Sequence, residues 1–124
     1  MKNQEKIEKL NSKYINNFFI TFMVMIFILV GAMLNMYVMM RNDGRMPVYH
    51  EDWRYNSNEH FTFSNYSEVN DPKLADIYKI RNSIYSQGDF MMMIGIVVLS
   101  LITINQILTM IDIRRLNKNE KHNK

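Results

Sequence analysis

The side chains best suited to chemistry lie between residues 41 and 89, which include eight acidic residues and two histidines. His50, Glu51, Asp52, Glu59 and His60 are hard or borderline metal ligands, but ten positions separate the histidines and no recognised zinc spacing results. His50 and His60 are therefore only weak candidates for a metal site. We expect a solvated polar loop here, with no metal and no other cofactor.

Methionine offers a second route to metal chemistry. Met36 and Met40 face the expected depth of Met91, Met92 and Met93, and thioethers select Cu(I). Methionine is also an adaptable packing residue, and the 12 in this chain accompany many Asn, Lys and Ile residues, as an AT-rich genome produces. Packing is the preferred interpretation. Since no nucleophile with a base, phosphate-binding glycine loop or rigid carboxylate pair is recognisable, we expect no enzyme.

Two uncharged apolar runs must position these side chains. Residues 18–40 and 90–111 contain 23 and 22 residues without Asp, Glu, Lys, Arg or His. At about 1.5 Å per residue each is roughly 33 to 35 Å long, enough to cross a hydrocarbon core of about 30 Å. The sequence therefore predicts an all-α membrane protein, a hairpin of transmembrane helices at 15–40 and 90–111, although its mean hydropathy of -0.21 resembles that of soluble proteins.

A cleavable signal peptide is the alternative interpretation of the first run. Such a peptide has an apolar region of about 7 to 15 residues that ends at small residues. This run continues past Gly31 and Ala32 to residue 40. A retained signal anchor is therefore the better prediction.

Orientation follows from the basic residues. Tails 1–14 and 112–124 carry four and five Lys or Arg residues, whereas the 49 residues of 41–89 carry six against eight acids. The positive-inside rule then predicts both termini in the cytoplasm and loop 41–89 outside a bacterial inner membrane. The net charge of +3 favours anionic lipid rather than nucleic acid, and without cysteine the loop has no disulfide.

Polar and small residues inside the spans predict how the helices pack. Counted inward from the outer ends, Asn35 matches Gly95 in depth, and Gly31 matches Ser100. We expect Gly31 and Asn35 to pack against Gly95 and Ser100. Nearer the cytoplasm, the amides of Asn105 and Gln106 are expected to approach the first span at Thr21.

The loop should begin with a turn at 42–44. An extended segment at 46–48 should follow, because the residue before Pro47 is restricted to extended conformations. Residues 49–70 are aromatic and polar with few aliphatic side chains, so they should rest at the headgroup interface without a core of their own. Asp71 and Pro72 signal a helix start, which predicts a short surface helix over about 72–85. Asp89 is placed to cap the second span.

Residues 31–48, GAMLNMYVMMRNDGRMPV, carry a resemblance. The segment resembles an uncharacterised family of small multi-pass bacterial membrane proteins, in which a span ending G-x-x-L-N-x-x-V precedes N-x-G-R/K-M-P-V. The matching positions are Gly31, Leu34, Asn35, Val38, Asn42, Gly44, Arg45, Met46, Pro47 and Val48. Leu74 to Ile77 and Ser86 to Asp89 resemble the family's L-x-D and S-x-G-D elements, so the resemblance covers about residues 31–96.

The resemblance implies no activity, but it places its motifs where the spans meet the loop. We expect one folded outer platform there, in which Arg45 pairs with Asp89 or Asp76. The candidate binding residues are Asn35, Asn42, Gly44, Arg45, Met46, Pro47, Trp53, Asp76, Gly88 and Asp89.

Three functions fit these expectations. The first is a non-enzymatic scaffold or accessory subunit that contacts lipid and other membrane proteins, or a second copy, through its spans and outer loop. The second is a protein that binds lipid, quinone or metal at its outer mouth. The third is a phage- or plasmid-encoded protein that modifies the envelope or excludes competitors.

Overall fold

The computed structural model describes residues 2–49 and 57–122. Two long helices, α1 (Lys2–Arg41) and α2 (Gln87–His122), enclose four short strands in chain order: β1 (Met46–Tyr49), β2 (His60–Phe63), β3 (Tyr78–Ile80) and β4 (Ser83–Tyr85). Two single 3-10 turns, Tyr66–Glu68 and Pro72–Leu74, lie between β2 and β3. The described chain is therefore mostly helical, with a strand-containing loop between the helices.

Both helices contain a stretch long and apolar enough to cross a membrane, within Gln4–Arg41 and Gln87–Lys118. The predicted spans 15–40 and 90–111 lie inside these stretches. Each helix also continues without a break into the adjoining basic tail, because the tails are rich in Lys, Glu and Asn and contain no Gly or Pro.

The chain divides into two compact units, one formed by Met1–Ile26 with Ile96–Lys124 and the other by Phe27–Gly95. In the first unit the Gln106 amide donates to the Thr21 hydroxyl at 3.4 Å, which agrees with the approach predicted from the sequence. Thr21 in turn donates to the Asn17 carbonyl at 2.8 Å, and the buried Thr109 donates to the Asn105 carbonyl at 2.8 Å. Of these three bonds, the one from Gln106 to Thr21 joins the two helices, and the other two lie within a single helix.

In the second unit, β1 and β2 pair in parallel with Met46 opposite His60 and Tyr49 opposite Phe63. A parallel bridge joins Val48 of β1 to Asp76, so the segment after the second 3-10 turn lies along the other side of β1. β3 and β4 form a separate antiparallel hairpin.

The prediction that this loop has no core of its own is wrong. Phe63, Val69 and Ala75 form a buried apolar cluster, with 9% or less of each residue exposed. Beside them Tyr49 stacks on Tyr66 with a centroid distance of 5.3 Å. Aromatic rings supply the apolar area that aliphatic residues supply in most cores.

The predicted helix over about 72–85 is also wrong, so the described chain is mostly helical, as expected, but not all-α. Only Pro72–Leu74 is helical, as one 3-10 turn after Asp71, which has a φ of 54°. Tyr78, Ile80 and Ile84 are aromatic or β-branched residues that fit strands better than an exposed helix. Arg81, with a φ of 54°, begins the connection between the two strands.

Candidate functional site

A cavity of about 290 Å³ opens in the second unit, and we refer to it as the mouth cavity. Its walls come from α1, β1, the start of β2, the segment after the second 3-10 turn, and the first turn of α2. The described residues that line it are Asn35, Met39, Met46, Glu59, His60, Asp76 and Asp89. Four of the ten candidate binding residues, Asn35, Met46, Asp76 and Asp89, are among them.

One wall is a hydrogen-bonded triad of Asn35, Ser86 and Asp89. The Asn35 amide nitrogen donates to Asp89 Oδ1 at 2.7 Å, and the Asn35 amide oxygen accepts from the Ser86 hydroxyl at 2.7 Å. A single side chain of α1 thus satisfies both polar groups at the start of α2. Ser86 is fully buried, so these bonds are shielded from water.

The start of α2 has the geometry of a capping box. The Asp89 N–H donates to the Ser86 hydroxyl at 3.0 Å, and the Ser86 N–H donates to Asp89 Oδ2 at 2.9 Å. Ser86 is therefore the N-cap and Asp89 returns the bond from the third helical position, where its charge also suits the helix dipole. Asp89 was expected to cap the span, and the structure shows that it does so together with Ser86.

Two glycines allow the helices to approach closely enough for the triad. A Cβ on Gly88 would collide with the Asn35 side chain and the Gly31 carbonyl oxygen. A Cβ on Gly31 would lie 2.7 Å from the Gly88 carbonyl oxygen and 2.9 Å from the Met91 Cβ. Any larger residue at either position would separate Asn35 from its two partners.

Asp76 also lines the cavity. Its N–H donates to the Pro47 carbonyl and its carbonyl accepts from the Tyr49 N–H, both at 2.9 Å, so β1 fixes the backbone on both sides. Only 6% of the residue is exposed, and its Oδ1 atom is buried without a hydrogen-bond partner among the described residues. The other oxygen, Oδ2, lies 3.9 Å from the His60 Nε2 atom.

Burial disfavours the charged form of Asp76. Loss of hydration, with a smaller contribution from the nearby Asp89 carboxylate, raises the pKa of Asp76 from 3.8 to about 7. A buried carboxyl group that has one unpartnered oxygen among the described residues and a pKa near neutrality is a feature that clusters at functional sites.

Asn42 holds the loop against the end of α1. Its side-chain nitrogen donates to the Val38 carbonyl at 2.8 Å and the Asn70 carbonyl at 3.0 Å, and its oxygen accepts from the Asn70 N–H at 3.0 Å. Gly44, with a φ of 79°, completes the turn and donates to the Met39 carbonyl at 2.9 Å. These residues support the cavity without lining it.

The predicted partner of Arg45 is incorrect. Its guanidinium carbon lies 5.2 Å from the centre of the Phe61 ring, a cation–π contact. In the described part of this unit, the ion pairs join Arg41 to Asp71 and His60 to Asp76. Asp89, the other expected partner of Arg45, is instead bonded to Asn35 and Ser86.

The predicted register of the helices also needs correction. Gly95 contacts Ile28 rather than Asn35, and the hydroxyl of Ser100 donates to the carbonyl of Ile96 in its own helix. The prediction assumed that the outer ends of both spans lie at the same depth in the membrane. The N-cap of α2 instead meets Asn35, six positions before the end of α1 at Arg41.

Several expectations concern residues beyond those described. His50 and Trp53 lie there, together with Glu51 and Asp52. His60 does line the cavity, yet the described His, Asp and Glu residues form no group of three placed to hold a metal ion. Sequence reasoning left Ser86, Met39 and Glu59 out of the binding set. The S-x-x-D spacing of a capping box, from Ser86 to Asp89, is the signal that could have identified Ser86.

Comparison with known proteins shows which family this part of the sequence matches. Residues 13–101 match the model of a family of unknown function, DUF5317. The match covers the whole second unit, and with it every described residue of the mouth cavity. No curated protein and no solved structure matches the chain significantly.

Proposed function

We propose that this chain, which belongs to the DUF5317 family, is a two-pass membrane protein that binds a small ligand in its mouth cavity. In this proposal residues 18–40 and 90–111 cross the inner membrane, both termini are cytoplasmic, and the strand-containing loop is outside. The protein acts by binding and not by catalysis.

The binding role rests on one observation, the buried side-chain oxygen of Asp76 that has no hydrogen-bond partner among the described residues. An unpaired acceptor that is removed from water costs about 1 to 3 kcal/mol, and more if it is charged. Asp76 lines the cavity and has such an oxygen, with no partner among the described residues, whereas Asn35 and Asp89, which also line the cavity, are hydrogen-bonded to each other. A ligand that donates a hydrogen bond to Asp76 would remove this cost.

Membrane insertion is supported by the outward-facing side chains of the helices. Phe18, Phe19 and Leu101 are each 63% exposed, and Met40 is 74% exposed. Lipid chains would cover these side chains as well as a partner helix would. A scaffold or an envelope-modifying role therefore has no observation of its own, whereas the cavity favours a binding role.

Native mass spectrometry of the protein extracted in a mild detergent tests this proposal. We expect the wild-type protein to retain a noncovalent small molecule, and Met39→Trp to lose it because the larger side chain fills the cavity. Met40→Trp is the matched control, since Met40 is the adjacent residue of α1 and lies 74% exposed. A wild-type protein without bound mass, or equal retention by both variants, would refute the proposal.

A further inference from the structure

We infer that the group bound in the mouth cavity is a primary ammonium, carried by an ethanolamine lipid headgroup or by a free amine, with Asp76 as its main acceptor. This inference rests on the proposed binding function and adds the chemical class of the ligand. The charge of the cavity, its unpartnered acceptor and its volume all favour such a group.

The charge of the cavity selects a cation. Glu59, Asp76 and Asp89 contribute three carboxyl groups, and the described lining residues include neither Lys nor Arg. An anionic headgroup would be repelled there. The arrangement of these acids with His60 does not suit a metal ion, because no described group of three is placed to coordinate one. An organic cation fits this combination better than a metal or a phosphate.

The unpaired acceptor selects a cation that carries N–H bonds. Asp76 Oδ1 is buried and has no hydrogen-bond partner in the part of the chain that the structure describes. A primary ammonium can donate three hydrogen bonds, whereas a quaternary ammonium such as choline can donate none. Asn35 Oδ1 already accepts from Ser86 and, as a carbonyl oxygen, has a second lone pair for another donor.

The size of the cavity limits the rest of the ligand. Ligand pockets usually have volumes of about 300 to 1,000 Å³, so a cavity of about 290 Å³ suits a small group. Met39 and Met46 provide apolar surface for the methylene groups next to the nitrogen. An ethanolamine headgroup at the end of a span would enter the cavity while its acyl chains stayed in the bilayer.

Ammonium binding should also depend on pH. Burial raises the pKa of Asp76 to about 7, so only the ionised form, which dominates above pH 7, offers both charge and acceptor. The titratable groups that face Asp76 in the cavity are Glu59, His60 and Asp89, while the described lining residues of α1 and β1 do not titrate. Protonation of any of these groups disfavours a cation. We expect affinity to fall about tenfold per pH unit below pH 7.

The experiment compares headgroups in nanodiscs. The protein is placed in discs of phosphatidylethanolamine, phosphatidylcholine and phosphatidylglycerol in equal parts, and the lipids retained after release are counted by native mass spectrometry. We expect phosphatidylethanolamine to be retained roughly tenfold or more over phosphatidylcholine, as for one charge-assisted hydrogen bond. If added ethanolamine displaces the lipid, a free amine binds too. If the lipid is retained at saturating ethanolamine, the lipid is the ligand. Both results support the inference.

Two Asp→Asn variants make the test specific. Asp76→Asn should abolish the preference for phosphatidylethanolamine and its dependence on pH. Asp43→Asn is the control, because Asp43 loses the same charge but is exposed and outside the cavity lining. A preference for phosphatidylcholine or phosphatidylglycerol, or an unchanged preference in Asp76→Asn, would overturn the inference and leave the proposed function standing. If Met39→Trp retains lipid as the wild type does, the proposed function itself fails.

Discussion

Replacing Asp76 with Asn should stabilise the ligand-free protein above neutral pH and have little effect at pH 4. The pKa of Asp76 is about 7 in the fold and 3.8 when hydrated. Since one pKa unit corresponds to about 1.4 kcal/mol, keeping Asp76 ionised in the fold costs about 4 kcal/mol. Solvent and relaxation of the surrounding residues reduce this cost, so about 4 kcal/mol is an upper limit.

The sign of the pH dependence follows from proton binding. Between pH 4 and pH 7 the folded protein retains a proton on Asp76 that the unfolded chain releases, so the free energy of unfolding decreases as the pH rises. Above pH 7 both states have lost the proton and this contribution is constant. Asn cannot ionise, and the gap between variant and wild type should therefore widen from pH 4 to pH 7 and then level off.

Guanidinium denaturation of the purified protein, in a nonionic detergent without added lipid or amine, measures this gap. Near-ultraviolet circular dichroism reports unfolding of the loop, because Tyr49, Phe63 and Tyr66 pack together there. Asp43→Asn, at an exposed position of the same loop, should show no widening gap. A gap for Asp76→Asn that is equal at pH 4 and pH 8, or largest at pH 4, would refute the reasoning.

Three further predictions concern packing, polar contacts and topology. Gly88→Ala should lower the free energy of unfolding by about 1 to 3 kcal/mol, because the added Cβ collides with α1. Gly44→Ala should lower it by about 1 kcal/mol, because of its φ of 79° alone. Denaturation midpoints compare the two variants. Asn35→Leu should lower the free energy of unfolding by about 2 to 3 kcal/mol in the same assay, because the Ser86 hydroxyl loses its acceptor and Asp89 Oδ1 loses its donor. In this cysteine-free chain, an impermeant maleimide should label Ser64→Cys on intact cells, but Ser12→Cys only after permeabilisation.

Specific results would contradict each of these predictions. A Gly88→Ala protein as stable as the wild type would mean that the helices do not approach closely at that residue. If Asn35→Leu is as stable as the wild type, the triad does not stabilise the fold. Labelling of Ser12→Cys on intact cells would reverse or abolish the proposed topology.

The sequence predicted the helices well because their signal is local. An uncharged run of 22 or 23 residues specifies a long apolar helix without reference to its neighbours. The contact between Gln106 and Thr21 could also be predicted from the sequence, because polar side chains in apolar helices tend to form hydrogen bonds with each other. Asn35, Asp76 and Asp89 were identified as candidates from the motifs that carry them.

The loop was predicted poorly because its structure depends on contacts between distant residues. Pairing of β1 with β2 in parallel and the bridge from Val48 to Asp76 have no local sequence signature. Residues 72–85 begin with a true helix-start signal at Pro72, but it produces one turn before Tyr78 enters a strand. The cavity arises from these non-local contacts, so its charge and volume could not be predicted.

The triad also has a consequence for biogenesis. Asn35 lies 51 positions before Ser86 and 54 before Asp89, so it can be synthesised well before its partners. In a chain that inserts as proposed, Asn35 enters the bilayer as an unsatisfied amide and stays so until the loop has been translocated and the second helix has begun. The triad can then form only after the second helix has begun, and a chain stalled before that point would leave the Asn35 amide without either partner.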